Sequence, residues 1–142
     1  MTDSNNETQQ PVYGVEDASY QAAGQLEGIT KLVSAFYDYM DRLPEAKIIR
    51  KMHPSDLTLS KDKLTLFLSG WLGGPRLYSQ KYQPISIPQV HRHLAVESKE
   101  RDAWLLCMHK AAQDQPYPDS FKKYLLEQLF VPAERIRQVC DS

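Results

Sequence analysis

Four histidines, two cysteines, eight tyrosines and two tryptophans carry most of the chemical capacity of this 142-residue chain. The histidines are His53, His91, His93 and His109. His91 and His93 stand as a His-x-His pair, and neutral imidazole is the commonest metal ligand among side chains. On a helix, two residues separated by one other lie about 200° of rotation apart, so only one of the pair can face a given pocket. That argues against a two-histidine metal site. It leaves two readings, one inward-facing imidazole or a surface pair in a polar turn. No Cys-x-x-Cys, HExxH, phosphate-binding loop or GxGxxG pattern occurs. No serine or cysteine stands in a nucleophile context. Cys107 falls on an apolar helical face, where a buried, inert thiol is expected.

The aromatic residues add a second kind of chemistry. Tyr37, Phe67, Trp71, Tyr78 and Trp104 fall on or beside the apolar faces of different predicted helices. Phe67 and Trp71 read as core. Tyr37 and Trp104 differ, because each brings a hydrogen-bond donor into the same interior, and a buried donor needs a partner.

The elements that must position these groups read as helices. Leu26, Ile29, Leu32, Val33, Phe36, Tyr37 and Met40 recur at spacings of three and four, one broad face of a long helix. Gly24 and Gly28 predict a break between a short first helix and this longer one, or a close crossing. Pro44 opens a short helix, PEAKIIRKM, that ends at His53-Pro54. Ser60 is the expected N-cap of a helix carrying Leu64, Phe67, Leu68 and Trp71, stopped at Gly73-Gly74-Pro75. Residues 75–90 hold three prolines and read as a long loop, with VHRHL as a helical turn on its far side. Trp104, Cys107, Met108 and Ala111 share a face of the next helix, whose capping box is incomplete if Ser98 is its cap. PYP ends that helix. Phe121, Tyr124, Leu125, Leu129 and Phe130 define the last, which Pro132 kinks or follows with a final turn. Residues 1–17 carry no apolar period and read as a mobile polar arm. Residues 18–142 read as a single domain. The fold class expected is all-α, with about five or six helices.

Composition narrows the function classes. Lys and Arg total 17 against 18 Asp and Glu, a net charge of −1. A nucleic-acid partner is therefore not expected. Apolar runs are too short for a membrane span, and the N-terminus MTDSNNETQQP lacks the basic flank and apolar stretch of a signal peptide. Two cysteines do not make a disulfide framework, so a cytoplasmic, reduced setting is expected.

The stretch FLSGWLGGPRLY, followed by VHRHL and ERDAWLLCMHKA, resembles the group II truncated haemoglobins of bacteria and plants. AFYDYM and IIRKMHPSDL upstream fit the same family, so the resemblance covers roughly residues 18–130. It implies a shortened globin, a two-over-two helical sandwich enclosing haem b. Counting from Gly73-Gly74-Pro75 and back from Trp104, the family's iron-ligating histidine falls at His91, with His93 one register away. The family's distal tyrosine matches Tyr37 and its distal tryptophan Trp104. His53 takes the distal position where many relatives carry Tyr or Phe. The usual distal-histidine position falls near Ser60, too short to reach a ligand. Leu64, Phe67, Leu68 and Leu77 are implied to cover the haem faces, and Lys63, Arg76 and Tyr78 to meet its propionates.

The function this implies is binding of dioxygen and other small diatomic ligands. A ligand that takes up negative charge is held by donors, and a charge-assisted bond of about 1.5–3 kcal/mol slows escape roughly 10- to 100-fold. Neither Tyr37 nor Trp104 titrates near neutrality, whereas an ordinary histidine at position 53 changes charge between about pH 5 and 8. Turnover of nitric oxide or peroxide would need an external reductase, since no flavin or nicotinamide domain fits in this chain. An oxygen- or redox-sensing haem module without turnover is the alternative, and a helical interaction domain without haem a third.

Overall fold

The structure, a computed structural model, describes residues 12–82 and 96–141, and the side chains of 139–141 are outside that description. Residues 83–95, with His91, His93 and the proline-rich stretch after Tyr82, lie outside the described residues. The described helices are α1 (Ala18–Ala22), α2 (Gln25–Arg42), α3 (Lys47–Lys51), α4 (Thr58–Trp71), α5 (Leu77–Lys81), α6 (Ser98–Gln113) and α7 (Asp119–Asp141), with a 3-10 turn over Pro44–Ala46 leading into α3. Among the described residues there is no strand.

The apolar period of α2 is the organising feature. Ile29, Leu32, Val33, Phe36, Tyr37 and Met40 are all buried, along one face. That face packs against α6 and α4, and α6 packs in turn against α7. Two helix pairs are thus laid one over the other. Phe36, Leu68, Met108, Phe121, Leu125 and Leu129 fill the space between them. Burying each such side chain is worth about 1.5–3 kcal/mol, so this interior rather than helix propensity holds the short elements in place.

The break at the start of α2 depends on its glycines. Gly24 adopts φ +85°, a left-handed conformation that suits glycine. Gly28 donates its N–H to the Gly24 carbonyl at 3.0 Å, and a Cβ on Gly28 would stand 2.0 Å from the Ala23 carbonyl oxygen. That same Ala23 oxygen accepts a buried hydrogen bond from the Tyr117 hydroxyl at 3.2 Å. The PYP corner between α6 and α7 is thereby tied to the break between α1 and α2.

Several boundaries differ from the sequence expectation. α4 begins at Thr58, not after Ser60, because Asp56 Oδ1 accepts the Thr58 N–H at 2.9 Å and satisfies a first-turn donor. The cap of α6 is Glu97, not Ser98. With the cap moved back one residue, Glu100 stands at the third helical position, and the capping box is complete: its Oε1 accepts the Glu97 N–H at 2.8 Å. The stretch after Pro75 is not loop throughout, since Leu77–Lys81 forms one short helix. α7 continues through Pro132 to Asp141. A proline there forfeits one backbone hydrogen bond, and side chains compensate. Glu134 accepts from Arg101 Nη1 at 2.7 Å and from Arg137 Nη2 at 2.6 Å, tying the end of α7 to the start of α6. Residues 12–17 form turns, and Tyr13 packs edge-on to Phe121 at 5.4 Å and bonds the Ser120 hydroxyl at 2.8 Å. That part of the polar N-terminal stretch is therefore docked.

Candidate functional site: a distal cluster and a cationic rim

Tyr37 is carried into the interior by the α2 face, where it is 5% exposed. Its neighbour Phe36 meets the Tyr37 ring at 4.9 Å and the Trp104 ring of α6 at 5.0 Å, both edge to face. Tyr37 meets the His53 ring at 5.7 Å, again edge-on. Tyr37, His53 and Trp104, singled out separately in the sequence from three segments, are thus joined in one run of ring contacts from His53 through Tyr37 and Phe36 to Trp104. Phe36 itself was legible only as a core residue, because nothing in its spacing marks it as the link.

The donors of this cluster are chemically distinct. Burial pushes the Tyr37 phenol up to about 12, so it remains protonated through the physiological range. Among the described residues neither the Tyr37 hydroxyl nor the Trp104 indole N–H makes a hydrogen bond. No fully occluded side-chain polar atom there lacks a partner. The Tyr37 oxygen therefore keeps some open surface in an otherwise apolar setting. His53 is fixed from its own helix: Nδ1 stands 2.9 Å from the Ile49 carbonyl oxygen. A carbonyl only accepts, so Nδ1 carries the proton.

α4 supplies the apolar wall. Leu64, Phe67 and Trp71 form a half-buried row at spacings of three and four, packed at the edge of the core. Phe67 stacks with Trp71 at 6.5 Å and meets Tyr78 of α5 edge-on at 6.5 Å. Leu77 is half-buried, and Leu68 is wholly enclosed in the core. Ser60 is half-buried.

Along the polar edge of α4 and α5 lies a cluster missed by sequence reading. Asp62 Oδ2 accepts from Lys81 Nζ at 2.9 Å and from the Tyr82 hydroxyl at 2.5 Å. These two bonds hold the Asp62 carboxyl below the usual carboxylate range, and the same bond to Asp62 raises the Tyr82 phenol. Lys63 Nζ lies over the Tyr82 ring, 5.4 Å from its centroid. Asp62 and Tyr82 are twenty residues apart, with no local spacing to announce them. Arg76 is exposed and borders a different feature, an open cleft of about 510 Å³ shared with Glu16, Asp17, Gly70, Gly73 and Gly74. Cys107 is a free, buried thiol, pushed up to about 11 chiefly by burial. It is correspondingly a poor nucleophile at neutral pH.

The parts fit a flat, apolar group with anionic edges. They offer a half-buried apolar row on α4, two donors on α2 and α6 that make no hydrogen bond among the described residues, and an exposed lysine on α4. Comparison with known proteins points the same way. The family model described as bacterial-like globin matches residues 18–137. The chain is 29% identical over 120 residues to the Group 2 truncated hemoglobin YjbI of Bacillus subtilis (strain 168), covering 84% of this chain and 88% of that protein. The group II 2-on-2 hemoglobin from the plant pathogen Agrobacterium tumefaciens superimposes with a TM-score of 0.80 at 29% identity, over 92% of this chain and 97% of that one. The cold-adapted truncated hemoglobin from the Antarctic marine bacterium Pseudoalteromonas haloplanktis TAC125 gives 0.79 at 28% identity, over 83% and 95%.

Proposed function

The chain belongs to the bacterial-like globin family, as a truncated haemoglobin of group II type, and from that premise we propose that it binds haem b through His91 and holds dioxygen and other diatomic ligands beneath Tyr37 and Trp104. The observation that carries the reading is the pair of uncommitted donors, from α2 and α6, brought to one apolar cluster by Phe36. Haem, when bound, would supply an iron that takes up a diatomic ligand on which negative charge develops.

This chain's own residues do the rest. Tyr37 donates its hydroxyl proton toward the ligand, and burial keeps that proton in place. Trp104 donates from the opposite helix, and its indole N–H cannot compete as an acceptor. His53 brings its imidazole edge-on to the Tyr37 ring, with Nδ1 committed to the Ile49 carbonyl. Leu64, Phe67 and Leu77 cover the apolar faces of the cofactor, and the wholly enclosed Leu68 backs that wall. Lys63, Tyr78 and Arg76 are the rim candidates for its propionates, with Lys63 and Tyr78 better placed beside the Phe67 row.

Two donors predict tight oxygen binding and slow release, a regime suited to chemistry on the ligand or to sensing. The solved relative from Bacillus subtilis is described as a truncated oxygen-avid haemoglobin, which agrees with that expectation. Detoxification of nitric oxide or peroxide would draw on an external reductase, and we place the protein in the cytoplasm, where its free buried thiol stays reduced. The test is stopped-flow oxygen dissociation from the reduced, loaded protein. Release within the range of a donor-free haem pocket would contradict the reading. Nitrate formation from nitric oxide in the presence of a reducing cell extract separates turnover from sensing.

A further inference from the structure

We propose that Asp62 and Tyr82 are positioning residues that hold the Lys63 ammonium ready for a carboxylate at the cofactor's rim. The inference rests on the haem reading above and adds to it the means by which the cation is kept available. Lys63 and Asp62 are neighbours on α4, and the simplest fate of such a lysine is neutralisation by a nearby carboxylate. Here the Asp62 carboxylate is already engaged. Its Oδ2 takes the Lys81 ammonium at 2.9 Å and the Tyr82 hydroxyl at 2.5 Å.

With its hydroxyl so held, the Tyr82 ring lies under Lys63, with Nζ 5.4 Å from the centroid; Lys81 Nζ also stands 5.7 Å from that centroid, its charge matched by Asp62. Tyr78 packs against the same ring at 5.1 Å, which limits its rotation. An aromatic face attracts a cation without cancelling its charge. Among the described residues Lys63 makes no ion pair. The cluster therefore leaves one cation oriented and uncompensated, on the helix that also carries the Phe67 row. An anion that binds apolar surface and presents a carboxylate at its edge meets both halves of that arrangement.

The test uses the full-length protein loaded with haem, and measures haem transfer to excess apomyoglobin. Lys63→Met and Tyr82→Leu should each speed haem loss about two- to five-fold, the scale of an exposed cation–π or ion-pair contact. The double variant should lose haem no faster than Lys63→Met alone, because Tyr82 acts through Lys63. Loaded instead with haem dimethyl ester, whose carboxylates are masked, all three should match the unmodified protein. Asp62→Ala, which removes the ring's anchor and leaves the ring, should also speed loss of haem but not of the ester; it carries the test should Tyr82→Leu fail to fold. Singles whose effects multiply in the double variant, or faster loss of the ester, would assign Tyr82 a purely structural role and overturn the proposal while leaving haem binding intact. Failure of the unmodified protein to take up haem would overturn the proposal together with the reading beneath it.

Discussion

At the scale of single residues, the distal cluster separates two kinds of donor. Tyr37 and Trp104 offer protons that stay in place across the physiological range, and His53 sets an imidazole edge-on to Tyr37. Tyr37→Phe removes a donor and little volume. It should raise the oxygen dissociation rate roughly 10- to 100-fold, as expected for one charge-assisted bond, and Trp104→Phe should do the same to a comparable degree. Stopped-flow mixing with dithionite and carbon monoxide reads both. The same rate in His53→Phe tests the imidazole beside Tyr37: a changed rate places His53 among the ligand's contacts, and an unchanged rate removes it. Tyr37 and Trp104 stood out in the sequence because a donor on an apolar helical period is anomalous, and their distal role was what the family resemblance implied. The engagement of Asp62 by Tyr82 was not, because contacts twenty residues apart depend on how α5 folds back on α4.

At the scale of elements, the lesson lies in the caps and breaks. The Gly24–Gly28 break was legible because two glycines interrupt an otherwise strong apolar period. Its necessity shows only in the 2.0 Å approach of a Gly28 Cβ to the Ala23 carbonyl. Gly28→Ala must push backbone apart there, and should cost about 1–3 kcal/mol, the range for overpacking, seen as a lower urea midpoint with an unchanged slope. The cap of α6 was misplaced by one residue. Ser98 is the conventional capping type, yet the reciprocal bonds of Glu97 and Glu100 fix the start. Whether Pro132 kinks α7 or is followed by a final turn was left open in the sequence, because the ties that offset the proline come from Arg101 on another helix. Glu134 is held at about 2 by Arg137 and Arg101 against an ordinary 4.5. The unfolded chain therefore binds a proton that the folded one resists. The stabilisation from this network is fully present above about pH 4.5 and fades as pH falls toward about 2. Urea midpoints of Glu134→Gln and the parent, taken down through that window, should differ above it and converge within it. A gap that stays constant would show that the carboxylate's charge contributes nothing.

At the scale of the whole molecule, two stacked helix pairs leave a half-buried apolar row on α4, and α2, packed against both α4 and α6, carries Tyr37 to the ring cluster it shares with α6. The all-α class and its helical pattern were readable from periodicity alone, since six buried positions of α2 repeat at three and four. Periodicity could not reveal the two-over-two arrangement, because crossings of helices far apart in the chain leave no local trace; the family resemblance supplied it. The central claim is that one imidazole, from His91, ties an iron porphyrin to this frame. Its most direct test is the optical spectrum of the purified ferrous protein beside His91→Gly and His93→Gly, with and without added imidazole. The account predicts a Soret band with a histidine-ligated ferrous signature in the parent and in His93→Gly, lost in His91→Gly and restored there by imidazole. A parent with no Soret band, or a His91→Gly variant that keeps the signature unaided, would contradict it.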